Sequence, residues 1–228
     1  MNGIGLYPKF INQLKLENKF TFGILAGDIV RKSNKLSWDT IDSQISDFKY
    51  PFYFAPGNHD VGIGYEDKKR NLFISRYGNT YYSFYYKNDL FIILDPNLEN
   101  WNISNKQLIF LKQTLLDMKP TTDNIFIITH QLIWIDNHEF NRASVNSFEG
   151  KLDYINYWFS IEPLLKKYEN NFFLVAGDTG AFDNGRELFC LKKNNIIYIA
   201  TGMGGGKRDN FLIFESKKNN LNIFVRKF

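Results

Sequence analysis

Residues 52–60 read Phe-Tyr-Phe-Ala-Pro-Gly-Asn-His-Asp, an apolar run that stops at a polar cluster. The run Phe52 to Ala55 has the length and composition of a short buried strand. Directly after it, Asn58, His59 and Asp60 carry the oxygen and imidazole nitrogen atoms that bind metal ions in proteins. The adjacent glycine lets the backbone turn sharply and lets a ligand approach closely. This stretch therefore predicts a metal-capable turn at the end of a strand.

The same arrangement recurs along the chain. Three further apolar runs end in a metal-capable side chain: 20–26 before Asp28, 125–129 before His130, and 172–176 before Asp178. In open α/β sheets, ligands collect in the crevice beyond the carboxyl ends of the strands, so we expect the four ends to bring these side chains together. Oxygen and imidazole donors suit Mn²⁺, Fe, Zn²⁺ or Mg²⁺ and do not suit thiolate chemistry.

Short apolar runs alternate with helical periodicity along the chain, which is typical of an α/β layered domain. Helices are predicted at 7–16, 38–48, 67–77, between Ser104 and Pro120, and at 152–168. Besides the four runs above, strands are predicted at 81–86, at 90–94 and repeatedly within 187–228, with turns at 193–195 and 217–220. The strands 81–86 and 90–94 should pair antiparallel across the turn at 87–89. Parallel units followed by strands predict mixed or packed sheets in a single domain, 1–228.

Composition limits the classes of protein to consider. A chain of 228 residues with 44% apolar side chains can bury one sizeable core. There is neither an apolar stretch of about eighteen residues, as a membrane span requires, nor a signal-peptide pattern at the start. The single Cys190 excludes an internal disulfide and suits a reducing compartment, so a cytoplasmic location is expected. The net charge of +4 is scattered, which allows anionic ligands but makes nucleic acid an unlikely partner.

The sequence resembles the calcineurin-like metallophosphoesterases in an ordered series of motifs: Gly27-Asp28, Gly57-Asn58-His59-Asp60 and Thr129-His130. The resemblance covers nearly the whole chain, and the ordered series is far more specific than any one motif. It implies a four-layer α/β/β/α sandwich of mixed sheets with a dinuclear metal site at the strand ends. By this resemblance Asp28 bridges two metals, Asn58 and His130 bind the second metal, and His59 acts on the phosphate as general acid or charge stabiliser.

The sequence departs from the family pattern in three places. The family's opening Asp-x-His strand has no match, so we expect the first strand to be lacking and the natural protein to extend upstream by roughly ten to thirty residues that contain it. The late Gly-His-x-His corresponds to 177–180, Gly-Asp-Thr-Gly, where Asp178 can bind a metal and Gly180 cannot. Arg31 stands where many members have an Asp that orients the catalytic His, and Asp60 is the candidate substitute.

These departures remove ligands of the first metal and keep those of the second. The cofactor is expected to be one or two divalent cations, Mn²⁺ before Fe, Zn²⁺ or Mg²⁺, with one position intact. The predicted metal ligands are Asp28, Asn58, His130 and Asp178, and the predicted catalytic residues are His59 and Asp60. The predicted function is hydrolysis of a phosphate mono- or diester, in a small molecule or a macromolecule, by metal-activated water, with low activity. The alternative is a catalytically weak or silent module of the same fold that binds a phosphorylated ligand.

Other residues have a functional and a structural interpretation. Trp134 and Arg142 are candidates for the rim of the site, and His138 is either a substrate contact or a solvated loop residue. Four basic residues are candidates to attract phosphate, although such runs are more often solvated: Arg31, Lys68, Lys69 and Arg70. Cys190 is expected in the core.

A glycine-rich segment raises a competing function. Residues 201–207, Thr-Gly-Met-Gly-Gly-Gly-Lys, are similar to a nucleotide-binding P-loop. Thr201 stands where that motif needs its first glycine, and Arg208 where it needs a Ser or Thr. We therefore expect a loop that borders the metal crevice instead of a nucleotide site.

Overall fold

The structure is a computed structural model that describes residues 5–17, 19–180, 188–217 and 220–227. Its helices are α1 (Pro8–Leu16), α2 (Lys35–Ser46), α3 (Asn58–Val61), α4 (Lys68–Tyr77), α5 (Asn105–Leu116) and α6 (Glu162–Leu165). Its strands are β1 (Gly23–Ala26), β2 (Phe52–Ala55), β3 (Tyr82–Tyr86), β4 (Asp89–Ile93), β5 (Asn124–Thr129), β6 (Asn171–Ala176), β7 (Leu188–Lys193), β8 (Ile196–Thr201), β9 (Asn210–Lys217) and β10 (Asn220–Lys227). Two 3₁₀ turns, Pro96–Leu98 and His138–Phe140, and a π-helical turn, Tyr157–Ile161, complete the described helical segments.

Local capping explains where the second and fourth helices begin. The side chain of Asn34 accepts a hydrogen bond from Ser37 N at 2.9 Å, so α2 begins before the apolar periodicity that first becomes visible at Trp38. Asp67 caps α4 in the same way through Lys69 N at 2.8 Å, and Gly78, with φ of 83°, ends it. The helices predicted at 7–16, 38–48, 67–77 and between Ser104 and Pro120 are confirmed as α1, α2, α4 and α5.

The largest sheet has six strands in the order β3-β4-β5-β6-β8-β7. The four central strands β4, β5, β6 and β8 are parallel, and the edge strands β3 and β7 are antiparallel to their neighbours. The antiparallel hairpin predicted across residues 87–89 is confirmed. Beside this sheet lie two two-stranded sheets, one of β1 and β2 in parallel and one of β9 and β10 in antiparallel pairing.

Side chains alternate between the two faces of the six-stranded sheet. On one face, residues such as Ile127 and Leu174 pack against α5 and α6. On the other face, Ile128 and Val175 pack against the strands of the smaller sheets. The outer side of those smaller sheets is covered by α1, α2 and α4, through apolar residues that include Trp38. The expected four-layer α/β/β/α architecture is confirmed.

The sequence did not indicate two features of this fold. The helix predicted at 152–168 is shorter, because only 157–165 is helical and the apolar side chains of Leu152 and Tyr154 are exposed instead of forming a buried stripe. Cys190, expected in the core, is exposed on the edge strand β7, where its neighbour Phe189 takes the buried side of the pleat. The turn at 193–195 is confirmed, and part of the turn expected at 217–220 lies outside the described residues.

Candidate metal centre

Four strand ends meet at one edge of the sandwich. β1 and β2 end in register at Ala26 and Ala55, and β5 and β6 end in register at Thr129 and Ala176. The backbone N–H groups of Gly177 and Asp178 donate to His130 O at 3.0 and 2.9 Å, which ties the last two ends together. The crevice expected from the sequence is therefore a real junction of these four turns.

Asp28 lies in a strained turn directly after β1. Its φ of 47° falls in the left-handed region, which a short polar side chain tolerates better than most others. Its Oδ1 accepts a hydrogen bond from His59 N at 3.0 Å. Its Oδ2 lies 3.3 Å from His130 Nε2 and 4.0 Å from His59 Nε2. The turn thus directs one carboxylate toward both predicted histidines.

Two glycines allow the turns to pack this closely. A Cβ at Gly57 would lie 2.2 Å from Asp28 N, and a Cβ at Gly27, where φ is 82°, would lie 2.4 Å from the His130 ring. Any side chain at either position would push the predicted ligands apart, because real Cβ atoms do not approach so closely. The glycines of both motifs are required by the space between the turns.

His130 is prepared to bind a cation through one nitrogen. Its Nδ1 lies 2.9 Å from Ala26 O, and because a carbonyl only accepts, Nδ1 carries a proton. Its Nε2 is buried and makes no hydrogen bond within the described part of the chain, although it lies 3.3 Å from Asp28 Oδ2 and 3.7 Å from Asp178 Oδ1. A cation bound to nitrogen and oxygen at about 2.1 Å would separate the two ligand atoms by about 3.0 to 3.7 Å. These distances fit ligation better than direct hydrogen bonding.

The electrostatics of this cluster favour a positive charge. Burial lowers the pKa of His130, but the carboxylates of Asp28 and Asp178 outweigh it and raise that pKa to about 10. Burial raises the pKa of Asp178 to about 6. Burial also opposes ionisation of Asp28, yet the charge and contact of His130 leave its pKa lowered. Either a proton or a metal cation at Nε2 supplies the charge that the two carboxylates attract.

Asn58 and Asp178 reach the same junction by different routes. Asn58 is the first residue of α3, is buried, and donates through Nδ2 to Glu149 Oε2 at 2.9 Å. Asp178 follows β6, and its carboxylate accepts hydrogen bonds from the Asn146 side chain and the Ser147 backbone. In the described ranges, no group of three or more His, Cys, Asp or Glu side chains already converges on one point. His130 instead lies beside Asp28 and beside Asp178, and the fourth candidate ligand, Asn58, would contribute an amide oxygen.

Asp60 contacts the backbone and not His59, the predicted catalytic residue that it was a candidate to orient. Its carboxylate accepts hydrogen bonds from the N–H groups of Ile29, Val30 and Gly57 at 3.2, 3.1 and 2.9 Å. Burial first, and the nearby charge of Asp28 second, raise the pKa of Asp60 to about 7. The Nδ1 of His59 instead lies 2.9 Å from the carbonyl oxygen of Arg31. Asp60 therefore joins the two turns, and the backbone of Arg31 orients the His59 ring.

Two other candidate residues are buried away from any ligand. Trp134, a candidate for the rim, is 1% exposed within the core. Arg70, a candidate to attract phosphate, is buried in an ion pair with Asp95. His138 and Arg142 are exposed in the segment after β5, and Lys68 and Lys69 are exposed at the start of α4. The sequence pattern shows charge and aromatic character but not which side of a segment faces the core.

In the glycine-rich segment, the backbone N–H groups already bind a side chain of the same loop. The backbone N–H groups of Gly204, Gly205 and Gly206 donate to the carboxylate of Asp209 at 2.9, 2.8 and 3.2 Å. Three convergent N–H groups form an anion nest, and an internal carboxylate already occupies this one. The nucleotide-binding alternative therefore has no place for a phosphate here. Gly202 lies directly against the Thr179 carbonyl, so the loop borders the turn that carries Asp178, as expected.

Fold and site together define an α/β/β/α protein whose oxygen and imidazole donors meet at the carboxyl ends of its strands. The calcineurin-like phosphoesterase family model matches residues 5–160, more than half of the chain. The protein belongs to the calcineurin-like phosphoesterases, a family of metal-dependent phosphoesterases.

Solved structures support the fold. A purple acid phosphatase from yellow lupin (Lupinus luteus) seeds superposes with a TM-score of 0.70 at 16% identity, covering 96% of this chain and 46% of the plant protein. A dimetal phosphatase from Danio rerio has a TM-score of 0.59 at 12% identity, covering 85% of this chain and 76% of the other. The chain thus spans about half the length of the plant phosphatase. No curated protein sequence matches it.

Among the described helices, none is both long enough and apolar enough to cross a bilayer.

Proposed function

We propose that the protein hydrolyses a phosphate ester with the help of one tightly bound divalent cation at the junction of the four turns. The observation that carries the proposal is the Nε2 atom of His130, which is buried, makes no hydrogen bond in the described part of the chain, and faces two carboxylates. A buried nitrogen that lies near two carboxylates but makes no hydrogen bond is poorly satisfied, which supports a ligand at this position. A cation is the ligand that the surrounding negative charge favours.

The proposed ligands are Asp28 Oδ2, Asn58 Oδ1, His130 Nε2 and Asp178 Oδ1. Two carboxylates, an amide oxygen and one imidazole favour Mn²⁺ or Mg²⁺ over Zn²⁺. When bound there, a divalent cation polarises a phosphoryl oxygen and lowers the pKa of water. Gly180 offers no side chain where the family pattern has a second late His, which supports a single metal position and low activity.

His59 is the proposed group that acts on the phosphate. Its Nδ1 donates to the Arg31 carbonyl, which fixes the ring and leaves Nε2 directed toward the junction, 4.0 Å from Asp28 Oδ2. The side chain is 43% exposed, so a substrate can reach it. A protonated Nε2 in this position can give its proton to the leaving oxygen or offset negative charge on the phosphoryl group.

The test combines metal content with turnover of an aryl phosphate. With Mn²⁺ we expect no more than a single tightly bound cation per chain, a higher melting temperature, and weak but measurable hydrolysis. His59→Ala should lower kcat roughly a hundredfold or more with Mn²⁺ binding retained, whereas Asp28→Ala should abolish both. His138→Ala, which removes an exposed His, is the matched control and should change neither.

Two outcomes would contradict this proposal. Elemental analysis that finds two metal equivalents in the unaltered chain would disprove the single-metal site. Neither metal nor turnover under saturating Mn²⁺ would favour the alternative, a silent module of the same fold that binds a phosphorylated ligand.

A further inference from the structure

The segment 144–150 connects the two turns that carry Asn58 and Asp178. At one end Thr179 Oγ1 donates to Ser144 O, and Asn146 N donates to Asp178 O at 3.1 Å. At the other end Glu149 accepts a hydrogen bond from Asn58 Nδ2 at 2.9 Å. These contacts join residues 32 or more positions apart in sequence, so the segment supports the site from outside the four strand ends.

Glu149 is itself held in place by its backbone. Its carbonyl oxygen accepts a hydrogen bond from Trp101 Nε1 at 2.9 Å, and its N–H donates to Ser147 Oγ at 3.0 Å. The Trp101 side chain is buried and therefore forms a fixed support. Glu149 forms no ion pair with any residue in the described ranges. The backbone of Glu149 is thus fixed by two hydrogen bonds, and its carboxylate accepts the hydrogen bond from Asn58.

An asparagine amide has two nearly equal ends, and only the oxygen can bind a metal cation. Nothing within the amide decides which end turns toward the site. An acceptor on one side does decide it, because the NH₂ end must face the acceptor and the oxygen then faces the opposite way. Glu149 is such an acceptor, so Asn58 Oδ1 faces away from Glu149 and is left available to a cation.

We propose that Glu149 is a positioning residue that fixes the Asn58 amide with Oδ1 toward the cation. This inference rests on the proposed function, since it requires that Asn58 is a metal ligand. Partners of metal ligands commonly change metal affinity by about 10- to 100-fold when they are removed. The role depends on a hydrogen-bond acceptor and not on negative charge, so a glutamine can replace the glutamate.

The experiment measures Mn²⁺ affinity by isothermal titration calorimetry for the full chain and three variants. Glu149→Ala should weaken binding about tenfold or more, and Glu149→Gln should stay within about threefold of the unaltered chain. Glu139→Ala removes an exposed carboxylate that pairs with Lys193 and lies in the turn His138–Phe140, outside the segment 144–150, and this variant should bind Mn²⁺ like the unaltered chain. Side-chain amide exchange of Asn58, followed by NMR without metal, should be faster only in Glu149→Ala.

The outcomes separate this inference from the proposed function. Unchanged Mn²⁺ affinity in Glu149→Ala would overturn the positioning role and leave the metal site standing. Equal losses in Glu149→Gln and Glu149→Ala would also overturn it, because charge and not orientation would then matter. If the unaltered chain binds no Mn²⁺ at all, the metal site and this inference both fail.

Discussion

The single residues of the site differ in which atoms are already used by the protein. His130 uses Nδ1 on the Ala26 carbonyl and directs Nε2 toward Asp28 and Asp178, and His59 uses Nδ1 on the Arg31 carbonyl and directs Nε2 toward Asp28. Asp60, by contrast, uses both carboxylate oxygens on backbone N–H groups. The three backbone hydrogen bonds hold Asp60 between the two turns, which suits a supporting residue better than a ligand. This distinction separates the proposed ligands from their supports.

Asp60→Asn should test whether this residue is a support. An asparagine offers one accepting oxygen and turns an N–H toward a backbone N–H, so a buried donor loses its partner. We expect the free energy of unfolding to fall by about 1 to 3 kcal/mol. Urea unfolding of the metal-free protein measures this. Asp47→Asn, at an exposed ion pair with Lys15, is the control and should change stability by less than about 0.5 kcal/mol. Equal stability of the two variants would refute the supporting role.

At the scale of elements, a buried polar network links α4 to the turns of the site. Arg70 of α4 pairs with Asp95 after β4 and donates through Nε to Gly64 O at 2.8 Å. Asn97 donates through Nδ2 to Asp95 Oδ1 at 2.9 Å and to Pro56 O at 3.1 Å. The network therefore reaches the residue that begins the turn after β2. Lys68 and Lys69 of α4 thus face solvent, whereas Arg70 of the same helix is buried in the network that reaches Pro56.

Arg70→Met should be strongly destabilising, because it leaves the Asp95 carboxylate buried without its charged partner. Breaking a buried ion pair on one side costs about 3 to 5 kcal/mol. Lys69→Met, the neighbouring exposed position on the same helix, should change stability by less than about 0.5 kcal/mol. Thermal and urea unfolding of both variants provide the comparison. A cost for Arg70→Met below that of Lys69→Met would contradict the network.

At the scale of the whole molecule, the three apolar clusters share their strands. One face of the six-stranded sheet contributes to the cluster under α5 and α6, and its other face contributes to the cluster between the sheets. β1 and β2 contribute both to the cluster between the sheets and to the cluster under α1, α2 and α4. Between the sheets, stacked rings cross neighbouring strands, with Phe126 lying 4.6 Å from Phe91 and 4.9 Å from Phe173 between ring centroids. Clusters that share strands cannot lose their packing independently. We therefore propose that the chain is a single cooperative domain.

Phe126→Ala should lower the free energy of unfolding by about 3 to 5 kcal/mol, since it opens a cavity between the sheets. Far-ultraviolet circular dichroism and tryptophan fluorescence should report one common transition in both the variant and the unaltered chain. Phe126→Leu is the control for volume and should cost less than the alanine variant. Two separate transitions would show that the layers unfold independently and would contradict the single domain.

The sequence pattern by itself determined the order of most strands and helices, the α/β class and the positions at which polar side chains follow strands, whereas the four-layer arrangement was implied by the family resemblance. These features are local, because they depend on runs of apolar residues and on the turn residues that end them. The strand ends before Asp28, Asn58, His130 and Asp178 can therefore be predicted from the sequence. The strand predicted at 52–55 has the same first and last residue in the structure.

Only the tertiary structure decided which atoms meet. Glu149 contacts Asn58 from 91 positions away, Asp60 turns to the backbone, and Cys190 takes the exposed side of an edge strand. No local pattern carries this information, because a period of two residues separates the faces of a strand without saying which face is buried, and a polar side chain binds whichever partner folding brings to it. The sequence thus determined where the candidate site lies, and long-range packing decided which contacts each of its residues makes.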